Sequence, residues 1–161
     1  MRRMNDGTIR RATAADAPEV LRLRQVMIDS IERADRSTDW HAASLPVLRE
    51  QLAHPGPSFA AFVADHPERP GRLRSLACGT LEYRIGSPAN PEGCYGYVFS
   101  VATDPDQRRR GLARATMEAL LHWFREHGAT TIDLGASPEA EPLYASLGFR
   151  RRDSPVLRLQ L

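Results

Sequence analysis

The spacing of apolar residues along this chain changes in a way that divides it into two stretches of predicted elements. Positions 8–12 alternate as in a short strand. Thr13, Ala14, Ala15 and Asp16 then read as a helix cap, ahead of an apolar stripe made by Val20, Leu21, Leu23, Val26, Met27 and Ile31. Positions 33–40 are polar and read as irregular. A second helix is expected from Leu45 or Pro46 to Leu52, closed by His54, Pro55, Gly56 and Pro57. Positions 58–64, 73–85 and 94–102 are rich in apolar and β-branched residues and are separated by loops at 65–72 and 86–93, which predicts an antiparallel meander. After it the pattern turns to alternating helix and strand. Leu112, Ala115, Met117, Leu120, Leu121 and Phe124 recur at helical spacing, and Gly128 supplies the stop for a helix over 112–127. A strand at 130–134, a short helix at 139–147 and a terminal strand at 156–161 complete the series. A strand, helix, strand passage needs a crossover and gives a locally parallel pair. The expected class is therefore mixed, α/β or α+β, with a mixed sheet.

Length and composition narrow this reading. A chain of 161 residues can bury one sizeable core, so a single domain over 1–161 with its core at about 8–161 is expected. The net charge of +2 with 26% charged residues gives no global reason to bind nucleic acid. Cys78 and Cys94 are too few for a disulfide framework, and with His41, His54, His66, His122 and His127 they form no metal-ligand spacing. No apolar run reaches the roughly 18 to 20 residues of a membrane span, and the first six residues are not followed by a signal-type stretch. A cytoplasmic protein with no metal and no membrane partner is the expectation.

One junction demands an anion. A β-branched run ending at Val98, Phe99, Ser100, Val101, Ala102 and Thr103 leads through Asp104, Pro105, Asp106 and Gln107 into Arg108, Arg109, Arg110, Gly111, Leu112 and Ala113, where the long helix starts. The first turn of a helix leaves backbone N–H groups unpaired and carries partial positive charge, so three arginines there are unfavourable unless an anion sits among them. Gly111 lets that anion approach the backbone, because a Cβ would take part of its space, and Ala113 is nearly as open.

The segment from Arg108 through Gly111 to Ala113 resembles the acetyl-coenzyme A motif of the GCN5-related N-acetyltransferases. The downstream run Leu143, Tyr144, Ala145, Ser146, Leu147, Gly148 and Phe149 is similar to that family's final helix and its ending. The likeness is specific over about 94–150 and rests on element order over 8–93. It implies the acyl-CoA N-acyltransferase (GNAT) fold, a three-layer sandwich whose central sheet is mixed and partly splayed, with the thioester lying in the gap between the strands at 94–102 and 130–134. It further implies acetyl-CoA as cosubstrate, direct transfer to an amine, and a homodimer. The backbone of Ser100, Val101, Ala102 and Thr103 would hold the pantetheine arm. The N–H groups around Arg108, Arg109, Arg110, Gly111, Leu112 and Ala113 would take the pyrophosphate.

Acetyl transfer from a thioester requires a positioned donor, a proton for the leaving thiolate and removal of a proton from the amine. The resemblance gives the first of these proton roles to Tyr144. Glu82 is the candidate base, although strand alternation equally sets it toward solvent, and Ser100 or backbone carbonyls with water are the alternatives. Ser137 stands near the place of the family's usual asparagine before the last helix. Asp29, Glu32, Asp35, Asp39 and Trp40 make an acidic, aromatic stretch suited to a cationic acceptor. A catalytically silent acyl-CoA sensor and a nucleic-acid-binding module are the competing classes.

Overall fold

The computed structural model describes residues 8–161; the first six residues, read above for a targeting signal, lie outside them. The meander is formed by β1 (Ile9–Arg11), β2 (Phe59–Asp65), β3 (Leu73–Tyr83) and β4 (Cys94–Thr103), each antiparallel to the next. β5 (Thr131–Leu134) joins β4 in parallel, giving one sheet in the order β1-β2-β3-β4-β5. The helices are α1 (Ala17–Asp29), α2 (His41–Ala53), α3 (Leu112–Glu126) and α4 (Glu141–Ser146). They cover both faces, as the mixed three-layer expectation required.

Two cores result, one on each side of the sheet. Val20 and Leu23 of α1 and Leu52 of α2 pack on Val63, Leu76 and Cys78. On the other side Met117, Leu120 and Phe124 of α3 pack on Ala77, Leu81 and Val98. The second packing is unusually close. A Cβ on Gly79 would stand 2.5 Å from the Phe124 ring, and one on Gly96 of the neighbouring strand 2.7 Å from it. These two glycines form a socket for the ring, and the socket fixes α3 against the strands whose ends build the site.

Three sequence expectations need correction. α2 starts at His41, ahead of Leu45, and carries Pro46 inside it. Its extra turn is held from outside the helix, since the Trp40 Nε1 donates to Gln25 Oε1 at 3.2 Å and His41 Nε2 lies 3.0 Å from the same oxygen. α4 begins at Glu141 because residues 138–140 form a turn. Residues 156–161 form no strand, and Val156, Leu157, Leu159 and Leu161 are exposed. Alternation shows that a segment can join a sheet, but an edge in register must also be there to receive it, and this segment pairs with none.

Candidate active site

The site arises where β4 parts from its neighbours. Its pairing with β5 ends at Val98↔Leu134, although β4 continues for five more residues to Thr103. On its other side the register with β3 shifts between the pairs Leu76↔Ala102 and Cys78↔Phe99, so β4 carries one residue more than β3 there. The irregularity is a β-bulge, and Ser100 within it has φ +52°, a left-handed conformation that serine seldom adopts. The N–H and C=O groups that face away from β3 over 100–103 are free of β5 and open to an extended ligand.

A cavity of about 410 Å³ fills the gap. Val98 through Thr103 form its floor, Val26 and Met27 of α1 with Ile31 just past its end one side, and Ser137, Leu143 and Tyr144 the other. A second cavity of about 260 Å³ shares Thr103, Arg108, Ala113 and Leu143 with the first, and adds Arg109, Gly111, Leu112 and Arg114. Ser100, Val101, Ala102, Thr103, Arg108, Arg109, Gly111, Leu112, Ala113, Ser137 and Tyr144 thus line two adjoining cavities. Arg110 is exposed beside it and lines neither cavity.

The start of α3, where an anion is expected from the sequence, is shaped by Gly111. Gly111 caps α3 at φ +75°, and a Cβ there would meet no heavy atom within 4 Å. The residue is required by its backbone conformation as well as by the open space in front of it. The approach to this helix start is anchored from below. The Arg22 guanidinium donates to both carboxylate oxygens of buried Asp104, at 2.6 and 3.0 Å, and Arg72 adds a second cation at 3.2 Å. Asp104 in turn accepts the Gln107 N–H on its carbonyl at 2.9 Å, so α1 holds the start of the loop.

Tyr144 is buried in the cavity wall, with its ring edge-on to Phe149 at 6.0 Å. Burial pushes its phenol pKa upward, so the hydroxyl keeps its proton at neutral pH. Ser137 closes the turn that leads into α4: its Oγ accepts the Ala140 N–H at 3.3 Å, and its carbonyl accepts the Ala140 and Glu141 N–H groups. Glu82 lies exposed near the end of β3, ion-paired with Arg84, and does not line the cavity. Two of the four acids in the stretch 29–40 are engaged locally. Asp29 accepts from Gln25 and Asp35 from the Ser37 N–H, both at 2.8 Å, while Ser30 and Ile31 are the cavity-lining residues between 29 and 40.

Sequence reasoning missed two arrangements. Arg24 donates from α1 to Ser100 Oγ; its signal was a charge set within the apolar stripe of that helix. Tyr97 and Asp133 are register partners in the last pair but one before the strands separate, and Gly96, Ile132, Val98 and Leu134 face α3. Alternation therefore turns Tyr97 and Asp133 to the face of α1 and α2. Asp133 lies 3.5 Å from an exposed guanidinium, that of Arg152.

An extended thioester with a diphosphate needs an unpaired strand edge, unpaired N–H groups at a helix start with open space before them, and a proton donor near the far end. The residues present fit all three. The family model described as Acetyltransferase (GNAT) family matches residues 26–149. The chain belongs to that family. Among curated GNAT-like relatives, the Escherichia coli [ribosomal protein bS18]-alanine N-acetyltransferase is 31% identical over 127 residues, covering 76% of this chain and 79% of that one. The mycothiol acetyltransferase of Rhodococcus jostii is 29% identical over 145 residues, 88% of this chain and 44% of that protein. Among solved structures, an acetyltransferase of Clostridium acetobutylicum with acetyl-CoA has a TM-score of 0.77 at 22% identity, over 95% of each chain. A GCN5-related N-acetyltransferase of Ralstonia eutropha has a TM-score of 0.75 at 23% identity, over 94% of this chain and 97% of that one. GNAT membership makes acetyl-CoA-dependent acyl transfer the general class of activity. The described residues hold no cluster of potential metal ligands and no helix long and apolar enough to cross a membrane.

Proposed function

We propose that this protein transfers an acetyl group from acetyl-CoA directly to the primary amine of a small molecule or peptide, within a ternary complex. The observation that carries the reading is the pair of adjoining cavities, one at the start of α3 and one in the gap between β4 and β5, with protonated Tyr144 on the wall of the latter. Acetyl-CoA supplies an activated acyl carbon and a good leaving thiolate. The N–H groups of α3's first turn, Arg108 and Arg109 hold its diphosphate, and the β4 backbone at 100–103 holds its arm as an added strand edge. Fixing both reactants in this way makes attack effectively unimolecular. Tyr144 gives its proton to the departing sulfur.

The acceptor enters from the side of α1, where Val26, Met27 and Ile31 offer an apolar wall. Two carboxylates are available for the amine proton. Glu82 on β3 pairs with Tyr95 of β4, three residues before Val98, and so works only through intervening water. Asp133 stands one residue from the point where the strands part, and its placement favours it as the nearer acceptor.

Calorimetric titration with acetyl-CoA, with acetyl phosphate and ATP as anion controls, tests the donor assignment. Thiol release with a hexapeptide beginning in alanine, the residue for which the Escherichia coli relative is named, tests transfer. Binding with release supports the enzyme. Binding without release across an amine panel makes the protein an acyl-CoA sensor, and folded protein that binds no acetyl-CoA removes the proposal.

A further inference from the structure

Most half-buried arginines here are neutralised by carboxylates. Arg10 is held by Asp16 and Asp65, and Arg22 by Glu19 and Asp104. Arg24 is different. It lies two residues from Arg22 on α1, is partly buried, and among the described residues makes one hydrogen bond, from Nη1 to Ser100 Oγ, with no carboxylate partner. Its acceptor is itself unusual: a serine 5% exposed, in a left-handed conformation, at the bulge that opens β4 to the cavity. A non-glycine residue there is strained and persists only when its surroundings hold it. Among the described residues the Arg24 bond is the one side-chain hydrogen bond that Ser100 makes.

We propose that Arg24 is a positioning residue for acyl transfer, clamping Ser100 in its left-handed conformation and so setting the bulge of β4 to receive the acyl end of the donor. The inference rests on the acetyltransferase reading and adds to it a residue that does not line the cavity. The extra residue of a bulge is left out of the ladder, which frees its peptide groups for a ligand oxygen. Those groups are useful only if held still, because donors aimed in advance cost no reorganisation when charge develops on that oxygen. A charged donor makes the stronger kind of clamp. Since the charge is not cancelled by a carboxylate, it also adds a positive field beside the same oxygen.

The test is a double-mutant cycle on the full chain, using Arg24→Met, Ser100→Ala and the double variant, with Arg24→Lys as the conservative replacement. Acetyl-CoA affinity is read by titration, turnover with the alanine-initiated hexapeptide, and amide exchange over β4 by mass spectrometry. Each single variant is expected to lower kcat about 10- to 100-fold, with acetyl-CoA affinity within about threefold of the parent. The double variant should be no worse than either single one, Arg24→Lys should recover part of the rate, and amides at 99–102 should exchange faster in Arg24→Met. Multiplying effects, an unchanged kcat, or equal losses of affinity and rate without faster exchange overturn the clamp. If the parent protein transfers nothing, the acetyltransferase reading fails separately and exchange alone decides: faster exchange at 99–102 in Arg24→Met supports the clamp, and unchanged exchange overturns it. Thermal unfolding identifies a variant that has lost its fold, and Arg24→Lys then carries the comparison.

Discussion

The two halves of β4 share one strand and do opposite work. From Tyr95 to Val98 it is paired on both edges, and its α3-facing side is pressed against Phe124 through Gly96. From Phe99 to Thr103 it has lost β5, gained a residue against β3 and become the floor of a cavity. The same backbone chemistry thus yields a core where strands pair on both sides and an edge where one side is left open to a ligand. The difference comes from one bulge and the end of one short neighbour. Rigidity in the first half is what makes openness in the second half accurate.

The strongest way to break this contrast acts on chemistry alone. Tyr144→Phe is expected to reduce kcat by about 10²- to 10⁴-fold while leaving acetyl-CoA affinity unchanged; single-turnover rates under saturating donor measure it, and an unaltered rate removes Tyr144 as the acid. Next in size is damage to the closed half. Gly96→Val drives side-chain carbons into the Phe124 ring and should cost about 1–3 kcal/mol in urea unfolding, with less effect on acetyl-CoA affinity per unit of remaining folded protein. Gly111→Val acts on the open side, where the residue must leave or strain a left-handed conformation worth about 1–2 kcal/mol. Its mark is a loss of acetyl-CoA affinity larger than its loss of stability explains, and equal losses would give Gly111 a structural role only.

The smallest expected effect lies far from both halves and serves as their control. Burial alone would raise the Asp16 pKa, but hydrogen bonds from Arg10 and from the Thr13 N–H outweigh it and hold the group below the usual carboxylate value. A depressed folded-state pKa contributes stability that is fully present above the unfolded value of about 3.9 and is lost as pH falls through the folded one. The stability gap between the parent and Asp16→Asn should therefore be flat from about pH 5 upward and shrink toward acid, with acetyl-CoA affinity at neutral pH unaffected.

Legibility in the sequence followed the same divide. α3 and its start were readable because Leu112, Met117, Leu120 and Phe124 repeat at helical spacing and three arginines at a helix start call for an anion. The meander was readable from runs and turn residues. The bulge was hidden, since Ser100 and Val101 contain no glycine to announce a left-handed residue, and the tertiary bond that holds it comes from a residue 76 positions away. The early start of α2 depends on Gln25, which no local pattern around Trp40 and His41 reveals. The segment 156–161 misled in the other direction, having the pattern of a strand without an edge to join.

Cys78 lies on β3 directly opposite Phe99, at the brink of the bulge. Burial pushes its thiol pKa up to about 12, and the positive charge of Arg24 offsets this only in part. Only the ionised form attacks a thioester, so this burial keeps the sulfur in its unreactive, protonated form. The strand partner of the bulge is thus a thiol that lines neither cavity and stays protonated, so an acyl donor held along β4 as proposed would meet no nucleophilic sulfur there.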